Sequence, residues 1–94
     1  MDASKIEKHL IAYGRVQGVG YRATVADLAR SLSLLGSVRN LDDGTVEIYV
    51  QGEKENVGAF LKLIVEDVYP ASVERIAEET LSSHHIYDRF KILF

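Results

Sequence analysis

Apolar positions along this chain recur in two rhythms, and the changes between them fall mostly on glycine, aspartate or proline. Residues 1–6 read as a loose lead. Residues 7–13, with Leu10-Ile11-Ala12-Tyr13 at their end, form a short apolar-rich run that suits a central strand. From about residue 22 or 23 to residue 34 the rhythm becomes helical. Val25, Leu28, Ala29, Leu32 and Leu35 stand at i, i+3, i+4, i+7 and i+10, one buried stripe, with Gly36 placed to end it in a left-handed cap. Residues 37–41 predict a strand and Asp42-Asp43-Gly44 a tight turn. The return strand over residues 45–51 alternates, with Val46, Ile48 and Val50 inward and Thr45, Glu47, Tyr49 and Gln51 on the other face, until Gly52 breaks it.

A second helix over about residues 54–67 carries Val57, Phe60, Leu61, Ile64 and Val68 on one face, and Pro70 closes it. Residues 71–80 predict a strand whose Glu74, Glu78 and Glu79 mark a sheet edge. Residues 82–88 read as a polar loop and residues 89–94 as a short final strand. The order β-α-β-β-α-β plus a terminal strand buries both helical stripes only if the helices share one face of an antiparallel sheet. The expected class is therefore α+β, a ferredoxin-like split β-α-β sandwich with the first and third strands side by side at its centre.

Ninety-four residues make one domain, 1–94, with a single modest core. A hydrophobic share of 47% against 27% charged residues is that of an ordinary soluble protein, and no apolar run approaches membrane-spanning length. The short polar start lacks a signal-peptide apolar region, so a cytoplasmic location is expected. The absence of cysteine excludes disulfides, a thiolate nucleophile and a thiolate-bound metal. A net charge of −3 argues against sequence-independent nucleic-acid binding but permits a local anion site.

The candidate chemistry sits between the first strand and the first helix. Residues 14–22, Gly-Arg-Val-Gln-Gly-Val-Gly-Tyr-Arg, place Gly14, Gly18 and Gly20 in one turn. Glycines let successive amides converge into an anion-binding concavity, and a helix starting there adds free N–H groups and a positive dipole end. Arg22 adds a planar fork matched to phosphate oxygens. The turn lacks the Gly-Lys-Ser/Thr ending of a nucleotide P-loop, and its spacing is not that of a dinucleotide fingerprint. His9, His84 and His85 show no metal-ligand spacing.

Two motifs together give the chain a strong resemblance to the acylphosphatase family over nearly its whole length. The first is residues 14–22, with Tyr21 where Phe is commoner. The second is residues 36–47, Gly-Ser-Val-Arg-Asn-Leu-Asp-Asp-Gly-Thr-Val-Glu. The resemblance implies metal-free, cofactor-free hydrolysis of the carboxyl–phosphate bond of an acyl phosphate to carboxylate and inorganic phosphate. It maps the phosphate-binding Arg onto Arg22, the water-orienting Asn onto Asn40, and the phosphate cradle onto the amides of Arg15, Val16, Gln17, Gly18, Val19, Gly20 and Tyr21. Two departures stand out: Ser37 where a large residue is usual, and Asp67-Val68-Tyr69 before Pro70 where relatives commonly place Gly-Pro.

An acyl phosphate carries its own good leaving group, so positioning and charge stabilisation suffice for its hydrolysis. The acidic Asp42, Asp43 and Glu47 are better explained by the turn and strand face, and Tyr13 and Tyr21 by packing. Arg22 alone could be a surface arginine at a helix start, and Asn40 a turn residue. The fold also hosts RNA-recognition modules, for which Tyr13 and Tyr49 are thin support, and phosphate-binding regulatory or carrier domains. A monomer acting on a small molecule, with no nucleic acid and no membrane, is the expectation.

Overall fold

Leu10, Ala12, Val38, Val46, Ile48 and Val50 are fully buried and fall on alternate positions of three strands, so one face of the sheet becomes the floor of the core. The computed structural model describes residues 4–82 and 84–94. In order the elements are β1 (Lys5–Arg15), α1 (Tyr21–Ser31), β2 (Leu35–Asn40), β3 (Val46–Glu53), α2 (Lys54–Glu66), β4 (Ser72–Thr80) and β5 (Phe90–Ile92). The strands form one sheet in the order β4-β1-β3-β2-β5. All pairings are antiparallel except that of β2 with β5, which is parallel. This is the ferredoxin-like arrangement, with β1 and β3 central, β4 at one edge, and β5 extending the other.

The two helical stripes cover the floor: Tyr21, Val25, Ala26 and Ala29 from α1, and Val57, Phe60 and Ile64 from α2, are buried. Phe90 of β5 closes the core against Phe60, ring centroids 6.3 Å apart. Among the described residues no helix is long and apolar enough to cross a membrane.

Three sequence expectations need correction. First, α1 stops at Ser31 rather than residue 34, and the left-handed residue after it is Ser33 at φ 57°. Gly36 lies inside β2 instead: at φ +140° its α-carbon passes so close to β3 that an added Cβ would stand 1.9 Å from the Tyr49 carbonyl oxygen. Second, Gly52 does not break β3, which runs on to Glu53. A Cβ at Gly52 would meet Leu34 Cδ2 at 2.4 Å, so this glycine makes room for the Leu34 side chain. Third, β1 begins at Lys5, inside the expected lead. The rest of that lead, residues 1–3, and Ser83 of the polar loop lie outside the described residues.

Candidate active site

The turn between β1 and α1 is shaped by positive backbone angles at Gly18 (φ 74°) and Gly20 (φ 77°), which a side chain would strain although both have open space around them. Gly14 serves a different purpose. A bulge between Tyr13 and Gly14 brings it against β4, where a Cβ would sit 2.3 Å from the Ser72 carbonyl oxygen. Gly20 is the N-cap of α1; no side chain caps that end and no acidic residue lies in the first turn. The opening amides of α1 have no acceptor within the helix. An uncapped N-terminus beside a cluster of glycines is a ready anion site.

Gln17 fixes the turn in place. Its amide donates to the Leu41 and Thr45 carbonyl oxygens, 2.8 Å each, and so staples the glycine turn to the β2–β3 hairpin. The hairpin closes without help from Asn40. Leu41 N donates to Thr45 O (2.9 Å), and Thr45 N and its hydroxyl donate to Asp43 Oδ1 (3.0 and 2.5 Å). Those bonds from Thr45 also hold the Asp43 carboxyl below its ordinary range. Asn40, the last residue of β2, is left with its Oδ1 buried and without a hydrogen-bond partner among the described residues. Buried polar atoms are almost always satisfied, so an orphan acceptor is an unusual feature.

Arg22 and Asn40 line one cavity of about 230 Å³ with Val16, Gly18, Gly20, Tyr21, Ile92 and Phe94. Arg22 Nη1 donates to the Leu93 carbonyl oxygen at 2.9 Å, and its guanidinium lies 4.7 Å from the centroid of the Phe94 ring. One donor of the fork is thus committed, and a guanidinium has five. Of the residues expected in the cradle, Val16, Gly18, Gly20 and Tyr21 line the cavity, while Arg15, Gln17 and Val19 do not. Arg15 is exposed at the end of β1, and Val19 packs on the core.

The polar pairs that sequence reasoning left unassigned lie on the sheet face away from the helices. His9 Nε2 meets Glu47 Oε2 at 2.8 Å, and Arg39 Nε donates to Glu47 Oε1 at 2.7 Å. Burial raises the Glu47 carboxyl, yet these two partners outweigh it and hold the group below its usual range. Among the described residues no group of three His, Cys, Asp or Glu side chains could hold a metal ion.

The glycine turn, the Arg and the Asn thus meet in one pocket at the end of a ferredoxin-like sheet. The sequence model of the acylphosphatase family matches residues 8–92. The chain belongs to the acylphosphatase family. It is 51% identical over 70 residues to an acylphosphatase of Azorhizobium caulinodans, covering 74% of this chain and 75% of that one. It is 46% identical over 81 residues to an acylphosphatase of Cupriavidus metallidurans, 86% and 84% of the two chains. Its structure is similar to that of the Bacillus subtilis acylphosphatase, with a TM-score of 0.91 at 32% identity over 95% of this chain and 99% of that chain. The activity is that of an acylphosphatase, a hydrolase acting on an acid anhydride. The two departures lie outside the cavity: Ser37 faces Tyr49 across β2 and β3, while Val68 tucks into the core and Tyr69 is exposed before Pro70.

Proposed function

We propose that this acylphosphatase binds the phosphoryl group between Arg22 and the amides of the Gly18–Gly20 turn, and that Asn40 holds the attacking water. The observation that carries the reading is the buried, unpartnered Asn40 Oδ1 on the wall of the cavity that Arg22 also lines. A carbonyl oxygen accepts one water proton, which fixes the direction of the water's lone pairs. Arg22 and the amides supply positive charge where the phosphoryl oxygens gather it in the transition state. The carboxylate leaves readily, and the phosphate itself takes the water's proton, so no side chain need act as a strong base.

This reading needs no metal and no cofactor, and it takes an acyl phosphate to carboxylate and inorganic phosphate. It also has the protein work as a cytoplasmic monomer.

The test is hydrolysis of benzoyl phosphate in excess chelator by the wild type, Arg22→Ala and Asn40→Ala. Turnover should persist without metal, and each variant should lose roughly a hundredfold to a thousandfold in kcat/KM. Phosphate inhibition should weaken only in Arg22→Ala. Turnover abolished by chelator, or an Asn40→Ala enzyme as fast as wild type, defeats the reading.

A further inference from the structure

Among the described residues Glu7 is the one acidic side chain that is fully buried, at 0% exposure, and it has no part in the cavity. Donors converge on its carboxylate from two elements. His85 Nδ1 is 2.5 Å from Oε2, the His85 backbone N–H donates to Oε1 at 2.8 Å, Gln51 of β3 donates to Oε1 at 3.1 Å, and the Tyr87 hydroxyl donates to Oε2 at 3.2 Å. His84 Nδ1 lies 3.8 Å away. A carboxylate only accepts, so Nδ1 of His85 carries the proton in this contact. The Gln51 amide also donates to the His85 carbonyl oxygen at 2.8 Å, and the His85 ring stands edge-on to Tyr49.

These contacts hold a segment without regular structure, residues 84–88, onto the open face of the sheet. Its one aliphatic side chain, Ile86, is fully exposed, so the carboxylate contacts and the packing of the His85 ring on Tyr49 and Tyr87 hold it there. Where the segment ends, β5 begins. β5 has three residues and pairs only with β2, through bonds such as Gly36 N to Arg89 O (3.2 Å) and Leu93 N to Val38 O (2.8 Å). The strand runs parallel to β2 toward Asn40, and it delivers Ile92, Leu93 and Phe94 to the cavity and to Arg22.

From this geometry we propose that Glu7 and His85 form a latch that positions the phosphate site. By clamping residues 84–88 ahead of β5, the latch acts with the buried Phe90 ring and the bond from Arg30 to the Phe90 carbonyl oxygen (3.0 Å) to fix where β5 lies and hence where Leu93 holds the Arg22 guanidinium. Glu7 and His85 are positioning residues that act through β5, and the proposal rests on Arg22 being the phosphate ligand.

His85→Ala tests it, because the His85 side chain is 56% exposed and its removal leaves the core intact. Glu7→Gln is the second variant, and His85→Asn, whose amide N–H can replace Nδ1–H, is the conservative rescue. In His85→Ala, KM for benzoyl phosphate should rise roughly threefold to thirtyfold with kcat within about twofold of wild type. His85→Asn should recover most of that loss. Amide exchange at Gly36 and Leu93 should quicken in His85→Ala while exchange at Ile48 in central β3 does not. An unchanged KM, unchanged exchange at Leu93, or equal quickening at Ile48 overturns the latch. Arg22→Ala separates the two claims: if it binds inorganic phosphate as wild type does, the ligand assignment of Arg22 falls, whereas exchange at Leu93 still reports on the clamp.

Discussion

Tyr21 stands where Phe is commoner in the first motif, and the structure gives its hydroxyl a task. The ring is buried, and the hydroxyl donates to the Ile64 carbonyl oxygen at 3.0 Å. Ile64 lies in the last turn of α2, which ends at Glu66, so its carbonyl is among the last four that no helical N–H reaches. Burial raises the Tyr21 pKa, which keeps the hydroxyl a donor across the working pH range. Tyr21→Phe removes the donor and leaves the Ile64 oxygen dry and unpaired. Stranding a buried acceptor costs about 1–3 kcal/mol, and the easier burial of Phe offsets part of that. The net loss should be about 1–1.5 kcal/mol. For a chain of this length such a loss lowers Tm by roughly 5–8 °C. Urea unfolding followed by circular dichroism measures it, with the m-value unchanged so that the shift in midpoint reports stability alone. A Tyr21→Phe midpoint equal to or above wild type would refute the claim that the hydroxyl caps α2.

Gly36→Ala should cost about 3 kcal/mol or more, because its Cβ would stand 1.9 Å from the Tyr49 carbonyl oxygen, whereas Gly44→Ala, at φ 91° in open space, should cost only about 1–2 kcal/mol of backbone strain; urea midpoints that reverse the order contradict the steric reading. Burial raises the Glu7 carboxyl, but the bonds from His85 and Gln51 outweigh it, so its folded pKa lies below the ordinary 4.5. Its stabilising contribution is therefore complete above about pH 4.5 and is lost as pH falls through the lower folded value. Urea unfolding across that acid range should show a shallower decline in Glu7→Gln than in wild type, and parallel declines would contradict the assignment.

The sequence shows local pattern well and distant contact poorly. The inward set Val46, Ile48 and Val50 and the buried stripes of α1 and α2 follow from periodicity, because burial imposes that period wherever an element has one dry face. The end of α1 at Ser31 departs from the helical rhythm for a physical reason. Leu32 and Leu35 continue the helical rhythm, yet the chain turns at Ser33, and Leu34 packs over Gly52 of β3. Gly36 and Gly52 both read as punctuation, and both are inside strands because another part of the chain needs the space of a missing Cβ. Of the site, the glycine turn, Arg22 and Asn40 were visible as motif residues. The Gln17 staple to Leu41 and Thr45 was not, since an amide carries no local sign of a partner 24 or 28 residues away. Glu7 was hidden more deeply: a carboxylate carries no local sign of burial, and its partners His85 and Tyr87 lie 78 and 80 residues further on.

These distant contacts bear on how so small a protein holds a catalytic geometry. The cavity draws on the turn after β1, the end of β2 and the end of β5, segments that are neighbours only through the order of the sheet. Each is fixed by a different polar contact: Gln17 ties the turn to the hairpin, Asp43 closes the hairpin beyond Asn40, and Leu93 holds Arg22. All three contacts are made within the chain itself, so on the proposed reading the donors are ordered as the chain folds. For a reaction whose leaving group is already activated, preorganised charge is the main thing a protein can add, because ordering the donors in advance removes that entropic cost from the chemical step. Asn40 Oδ1 is the exception, a buried acceptor that no described residue satisfies. On the function proposed above, that acceptor is the one the attacking water would engage.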